Sequence, residues 1–182
     1  MRITGGRTRG RKIYVPKSDK IRVTSDRVRE SIFNILPSMN GALFLDIFAG
    51  SGSVGIEALS RGSARATFIE KETLHARVLE KNLKLCGFEE SCEVIILPAE
   101  NGIRILSGRR QQFDIVFADP PYDRGLVSET LGMLGKCNLI AEEGAVVMEH
   151  SFRETVADSE DFVLTDQRRY GDTVLSFLQL RM

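Results

Sequence analysis

Between Leu43 and Gly62 the sequence leaves the chain few options. Leu43-Phe44-Leu45-Asp46-Ile47-Phe48 is apolar except for Asp46, and its length suits a buried strand better than a helix. Ala49-Gly50-Ser51-Gly52-Ser53-Val54-Gly55 follows, opening a helix through Glu57-Ala58-Leu59 that closes at Gly62. Strand, glycine turn and helix in that order predict the first unit of a doubly wound α/β fold. The next strand, Ala66-Thr67-Phe68-Ile69, ends in Glu70. That places an acid about 20 residues past the glycines, where such folds bind ribose hydroxyls.

The remaining elements extend the same pattern. Thr24-Ser25-Asp26 is a run of N-cap residues, with Val28, Ile32, Ile35 and Leu36 on a helical stripe that Pro37 stops. Arg27 and Arg29 lie off that stripe and are expected to face solvent or a phosphate. A helix from Thr73 to Cys86 is expected to bury Leu74, Val78 and Leu85, flanked by Leu79 and Leu83, and to end at Gly87. His75 reads as a surface or packing residue. Strands are predicted at 94–97, 113–118 and 145–149, with helices after Pro98-Ala99-Glu100 and over 126–134. The tail differs: 162–169 and 173–180 predict a hairpin around Tyr170-Gly171-Asp172. The expected architecture is a mostly parallel sheet finished by an antiparallel hairpin, with a basic arm over 1–22 and one domain over 23–182.

Phe113-Asp114-Ile115-Val116-Phe117-Ala118-Asp119-Pro120-Pro121-Tyr122 carries the chemistry. Proline lacks an N–H and fixes φ, and it holds the preceding residue extended. The segment leaving the strand is therefore stiff and poor in donors. It offers acceptors at Asp119 and the nearby carbonyls, with the flat ring of Tyr122 beside them. Such a corner suits a planar substrate whose reacting group carries N–H bonds, as the exocyclic amine of a nucleobase does. Taken alone, the same residues also describe a rigid turn after a core strand.

Gly50-x-Gly52-x-x-Gly55 matches a dinucleotide fingerprint, yet Asp46 sits four residues before Gly50. A pyrophosphate favours a helix N-terminus free of anions, whereas a carboxylate favours a cationic ligand. S-adenosylmethionine, with its sulfonium and ammonium groups, fits that requirement, with Glu70 on its ribose. Formal net charge is zero, but residues 1–30 hold ten basic side chains against three acidic ones, so they carry +7 and the rest −7. Arg2, Arg7, Arg9, Arg11, Lys12, Arg22 and Arg27 are expected to meet nucleic acid. Three cysteines without a C-x-x-C pair point to a reducing cytosol and to no structural metal. No apolar run reaches the ~20 residues of a membrane span, so a cytoplasmic protein acting as a monomer is expected. An adenine-N6 methyltransferase, a nicotinamide-dependent oxidoreductase and a non-catalytic RNA-binding assembly factor stand as rival readings.

Asp46-Ile-Phe-Ala-Gly-Ser-Gly-Ser53, Glu70 and Asp119-Pro-Pro-Tyr122 together resemble a Rossmann-like class I S-adenosylmethionine-dependent amino-methyltransferase. Arg9-Gly10-Arg11, the segment from Thr24 to Asn34, Glu149-His150 and Tyr170-Gly171-Asp172-Thr173 narrow the resemblance to the RsmD family. That family methylates the N2 of one guanine in small-subunit (16S) ribosomal RNA, within an assembling or assembled 30S particle. The resemblance covers essentially the whole chain. It implies a cofactor site at Asp46, Phe48, Ala49, Gly50, Ser51, Gly52, Glu70, Lys71 and Ala99, with catalysis at Asp119, Pro120, Pro121 and Tyr122. Two residues depart from the family pattern. Val23 replaces a proline, and Pro98 stands where an acid contacts the adenine, a role for which Glu100 is the substitute expected.

Overall fold

The computed structural model describes residues 1–16 and 24–181. Its elements run α1 (Asp26–Ile35), β1 (Leu43–Ile47), α2 (Ser53–Ser60), β2 (Arg65–Ile69), α3 (Thr73–Cys86), β3 (Cys92–Ile95), α4 (Ala99–Gly108), β4 (Phe113–Ala118), α5 (Leu126–Lys136), β5 (Ile140–Ser151), β6 (Phe162–Tyr170) and β7 (Thr173–Leu180). The seven strands form one sheet in the order β3-β2-β1-β4-β5-β7-β6. The first five are parallel, and β7 lies antiparallel to both β5 and β6. The expected fold class is therefore the one observed. Strand β5 is longer than its apolar stretch suggests, because it begins at Ile140, opposite Phe113 of β4, and pairing with β7 continues through His150 and Ser151. Among the described residues no helix is long and apolar enough to cross a membrane.

Alternation along the strands divides the core. Phe44, Phe68, Phe117 and Val147 pack on one face with the apolar sides of α1, α2 and α3. Leu45, Ile47, Ile69, Val116 and Met148 pack on the other with those of α4 and α5. Helix α1 starts as its caps require, Ser25 Oγ accepting the Val28 N–H. Helix α3 presents a different stripe from the one expected. Leu74 is 72% exposed and Leu85 38%, whereas Ala76, Leu79, Asn82, Leu83 and Cys86 are buried.

Arg29 also overturns its expectation. Its side chain is fully buried, with Nε 2.8 Å from Glu57 Oε2 and Nη2 3.0 Å from Asp26 Oδ1. It donates further to the carbonyls of Thr24 and Arg2. Glu57 is buried too and accepts from Thr4 N and Thr4 Oγ1, and from Arg61 Nη2 at 2.9 Å. Burial alone would push the Glu57 carboxyl up. The Thr4 hydrogen bonds and the Arg29 guanidinium outweigh that cost and hold it below the ordinary carboxylate value.

This network anchors the N-terminal segment. Residues 1–13 fold back as a small loop closed by an Arg2–Lys12 bridge. Ile3 and Ile13 enter the same core cluster as Val28 and Ile32. Gly6, at φ +73°, passes so close to Ser60 that a Cβ there would lie 1.9 Å from its carbonyl oxygen. The basic side chains of Arg2, Arg7, Arg9, Arg11 and Lys12 remain exposed. Arg22 lies outside the described residues.

Candidate active site

The sheet reverses order at β1, which has β2 on one side and β4 on the other. Ligands in such folds bind beyond the carboxyl ends of the strands at this point. Leaving β1, the chain turns through Phe48 at φ +64°, Gly50 at +55° and Gly52 at +76°. A left-handed Phe costs about 1–3 kcal/mol and persists only where its surroundings enforce it. Here three hydrogen bonds do so: Ala49 N to Ile69 O at 3.0 Å, Gly52 N to Ala49 O at 2.7 Å, and Gly50 N to Glu70 Oε2 at 2.7 Å. Gly52 cannot be replaced cheaply, since a Cβ would fall 2.1 Å from Leu79 Cδ1. Gly55 lets α2 press on β2, its Cβ position lying 2.3 Å from the Phe68 ring.

Glu70 stands at the end of β2. Besides Gly50, it accepts the Glu72 N–H at 2.8 Å, and His75 Nδ1 lies 3.6 Å away. A carboxylate has about four lone-pair sites, so two backbone donors leave capacity for a ligand's hydroxyls.

The second half of the site comes from β4. Ile47 pairs with Ala118, which sets Phe48 beside Asp119, and Asp119 N donates to Ile47 O at 3.4 Å. Pro120 is buried, Pro121 is exposed, and Tyr122 is half-buried with its hydroxyl donating to Glu149 Oε1 at 3.4 Å. Glu149 is itself buried and accepts from Thr24 Oγ1 at 3.0 Å. The two halves meet in one cavity of about 680 Å³. Phe48, Gly50, Glu70, Lys71 and Ala99 line it together with Asp119, Pro120, Pro121 and Tyr122. This chain resembles known proteins throughout. The family described as "Conserved hypothetical protein 95" matches residues 1–179. "Ribosomal RNA small subunit methyltransferase D" of Escherichia coli K12 is 42% identical over 150 residues, 82% of this chain and 74% of that protein.

The chain belongs to the RsmD family. The protein of that name from Haemophilus influenzae is 35% identical over 176 residues, covering 94% of this chain and 89% of its own. The solved structure of yhhF from Escherichia coli superposes with a TM-score of 0.85 at 36% identity, covering 100% of this chain and 98% of that one.

Within this RsmD-family protein the remaining expected site residues do not reach the cavity. Asp46 lies beneath the loop, and Ala49, Ser51 and Gly52 belong to the loop without lining the cavity. Asp46 is 2% exposed and its Oδ2 accepts the Gly55 N–H at 2.9 Å. Ser51 is buried, its carbonyl accepting from Asn82 Nδ2 at 2.9 Å. Glu100 turns along α4 to pair with Arg104 at 2.6 Å and is not among the lining residues. Leu97 and Ala99 present an apolar wall there instead. Sequence reading missed His75, Glu72, Leu97 and Arg124, all of which line the cavity. His75 was findable in principle: it sits in the first turn of the helix that follows the strand-end acid.

Burial pushes the Asp46 carboxyl up to about 8 from an ordinary 3.8, with the Gly55 N–H opposing and the charge of Glu70 adding. Its folded pKa is raised, so the folded chain keeps a proton that the unfolded chain releases. Asp46 therefore favours folding below 3.8, and that contribution is lost as pH rises to about 8. Asp46→Asn removes the titration. Urea unfolding at about pH 5 and about pH 8 should show the variant gaining on the wild type at the higher value. An equal gap at both pH values would mean that Asp46 does not titrate in this window.

Proposed function

We propose that the protein transfers a methyl group from S-adenosylmethionine to the exocyclic N2 of one guanine in small-subunit ribosomal RNA. The observation carrying this reading is the single cavity that joins the glycine loop and Glu70 to Asp119-Pro120-Pro121-Tyr122. The E. coli and H. influenzae relatives bear the name of ribosomal RNA small-subunit methyltransferases. That supports the RNA class, and the acceptor-rich corner supports an amine as the nucleophile.

The residues present suit the cofactor. A strand-end carboxylate at Glu70 lines the cavity where it would accept a ribose's hydroxyls, and Phe48, Leu97 and Ala99 give apolar walls for an adenine. Asp46 serves the site from outside the cavity, its Oδ2 accepting the Gly55 N–H and so holding the glycine loop in place. When bound, S-adenosylmethionine would supply an electrophilic methyl group, its S–CH3 bond breaking as the N–C bond forms, so that S-adenosylhomocysteine leaves and the surplus N2 proton passes to solvent beside Asp119.

The chain's own groups prepare the nucleophile. The guanine N2 lone pair is delocalised into its ring, so the amine reacts poorly unless it is pyramidalised and aimed. The Asp119 carboxylate and the Pro120 carbonyl accept its N–H bonds, and growing positive charge on nitrogen strengthens both interactions. Tyr122 stacks on the extruded base and fixes its plane, its hydroxyl tethered to Glu149. Correct placement removes much of the entropic cost of bringing the reactants together. The protein acts as a monomer, on RNA held within an assembling or assembled particle.

The test uses radiolabelled S-adenosylmethionine and small ribosomal subunits lacking the modification, with the labelled nucleoside identified after digestion. N2-methylguanosine is expected. N6-methyladenosine, or no transfer at all, would overturn the reading.

A further inference from the structure

A second cavity, of about 450 Å³, lies on the other side of Glu149 from Tyr122. Its wall is built from two distant parts of the chain: the start of α1, with Ser25 and Arg27, and the β6–β7 hairpin, with Arg169, Tyr170 and Thr173. Glu149 contributes to this cavity while its Oε1 accepts the hydroxyl of the Tyr122 ring that lines the first. The two cavities are therefore linked through the hydrogen bond from Tyr122, on the first, to the buried carboxylate of Glu149, on the second.

The described arginines fall into ion-paired and unpaired ones, and the unpaired set includes Arg2, Arg7, Arg9, Arg11, Arg65, Arg77, Arg110 and Arg124 as well as the two on this cavity. Arg29, Arg61, Arg104, Arg109, Arg153, Arg168 and Arg181 each pair with a carboxylate within 4 Å. Among the described residues Arg27 and Arg169, the two arginines on this cavity, have no such ion pair. Arg169 is nonetheless held in place, its Nε donating to Gly171 O at 2.8 Å and its guanidinium lying 4.3 Å from the Phe152 ring. Both Nη groups are thereby left as donors. Arg27 is 5.9 Å from the Tyr170 ring, whose hydroxyl is fixed by Ser31 Oγ. Two exposed guanidinium groups and a tethered aromatic ring thus face one polar recess. A planar fork with spare donors matches a phosphate oxygen pair better than any neutral ligand.

We propose that this cavity is the subsite for the phosphodiester next to the target base, held by Arg27 and Arg169. The assignment rests on the reading of the protein as an RNA methyltransferase. A base extruded onto Tyr122 drags its flanking phosphates to the rim of the first cavity, and the second cavity opens one carboxylate away. Glu149 lies beneath, buried and accepting from Thr24 and Tyr122, so the anion meets the exposed guanidinium groups first. Such a clamp gives the enzyme a grip on the backbone beside the reacting nucleotide, which a pocket for one base lacks.

The test compares full-length wild type with R27A, R169A, the double variant and R169K. Unmodified small ribosomal subunits serve as substrate over a range of salt concentrations. Each alanine variant should raise the apparent KM for subunits by about tenfold, the scale of a lost charge-assisted hydrogen bond. Each should also flatten the plot of log affinity against log salt by about 0.7, the value for one contact to single-stranded RNA. R169K should keep the wild-type slope while recovering only part of the affinity. The Kd for S-adenosylmethionine should not move. If the double variant methylates subunits with the wild-type KM and slope, the subsite is wrong and the RNA reading survives. A parallel loss of cofactor affinity would make Arg169 a scaffold residue and likewise overturn the subsite. Wild type that transfers no methyl group to these subunits removes the RNA reading and the subsite together.

Discussion

Asp119→Ala should lower kcat at saturating cofactor by about a hundred- to a thousandfold, the usual scale for one preorganised group facing charge that develops in the transition state. The Kd for S-adenosylmethionine should change little. The separation follows from where the side chains originate. Gly50 and Glu70 come from the ends of β1 and β2, and their loop is held by hydrogen bonds to Ile69 and Glu70 that Asp119 does not enter. Asp119 comes from β4 and faces that half across the cavity, its backbone N–H donating to Ile47 O. Truncation leaves that N–H in place, so the corner keeps its path. Asp119→Asn is the sharper probe: it keeps one acceptor oxygen, removes the negative charge and introduces a donor toward an amine that carries only donors. It should be no more active than the alanine variant. Equal losses of turnover and cofactor affinity would instead make Asp119 a cofactor ligand.

The two motifs that build this site are legible in the sequence because each is local. A short apolar run followed by glycines, and another followed by Asp-Pro-Pro-Tyr, state their own geometry within ten residues. Parallel pairing of β1 with β4 then brings them together, a step that fold class supplies. What stays hidden is nonlocal. The buried stripe of α3 uses Ala76 and Asn82, which a count of large apolar side chains passes over. Asn82 is satisfied by partners far away in sequence: Tyr14, 68 residues off, gives its N–H and its carbonyl, and Ser51 gives a second carbonyl. Glu100 looks available as a ligand until Arg104, one turn on, takes its carboxylate. The N-terminus reads as a basic arm for nucleic acid because charge dominates its composition, and the anchoring of that arm to the body by Ile3 and Ile13, two residues among many polar ones, does not show in the pattern.

Arg29 is the strongest example and gives the largest expected effect on stability. Pattern reading assigns an arginine off the apolar stripe to solvent, since an unpaired buried charge is prohibitively costly. The partner that makes burial tolerable is Glu57, on another helix 28 residues later. Arg29→Ala deletes the guanidinium and strands that carboxylate, so it should cost about 3–5 kcal/mol in urea unfolding, a large share of the ~5–15 kcal/mol typical of a domain. Removing both charges with residues of similar volume, as in Arg29→Met with Glu57→Leu, should cost less, because no fully buried ion is then stranded and Arg61, which loses its carboxylate partner, is partly exposed. The pH dependence checks the same point. The Glu57 carboxyl is held below its ordinary 4.5, so its stabilisation is fully present above that value and is lost as pH falls through the lower, folded one. Arg29→Ala should therefore flatten the acid limb of the stability curve as well as lower its plateau. The arm should respond too, since Arg29 Nη2 holds the Arg2 carbonyl and Glu57 holds Thr4. Trypsin should cleave after Arg7 or Arg9 faster in the variant, under conditions where the remaining sheet stays folded. A loss below about 1 kcal/mol, with an unchanged acid limb, would mean that these two buried charges are stabilised by something other than each other.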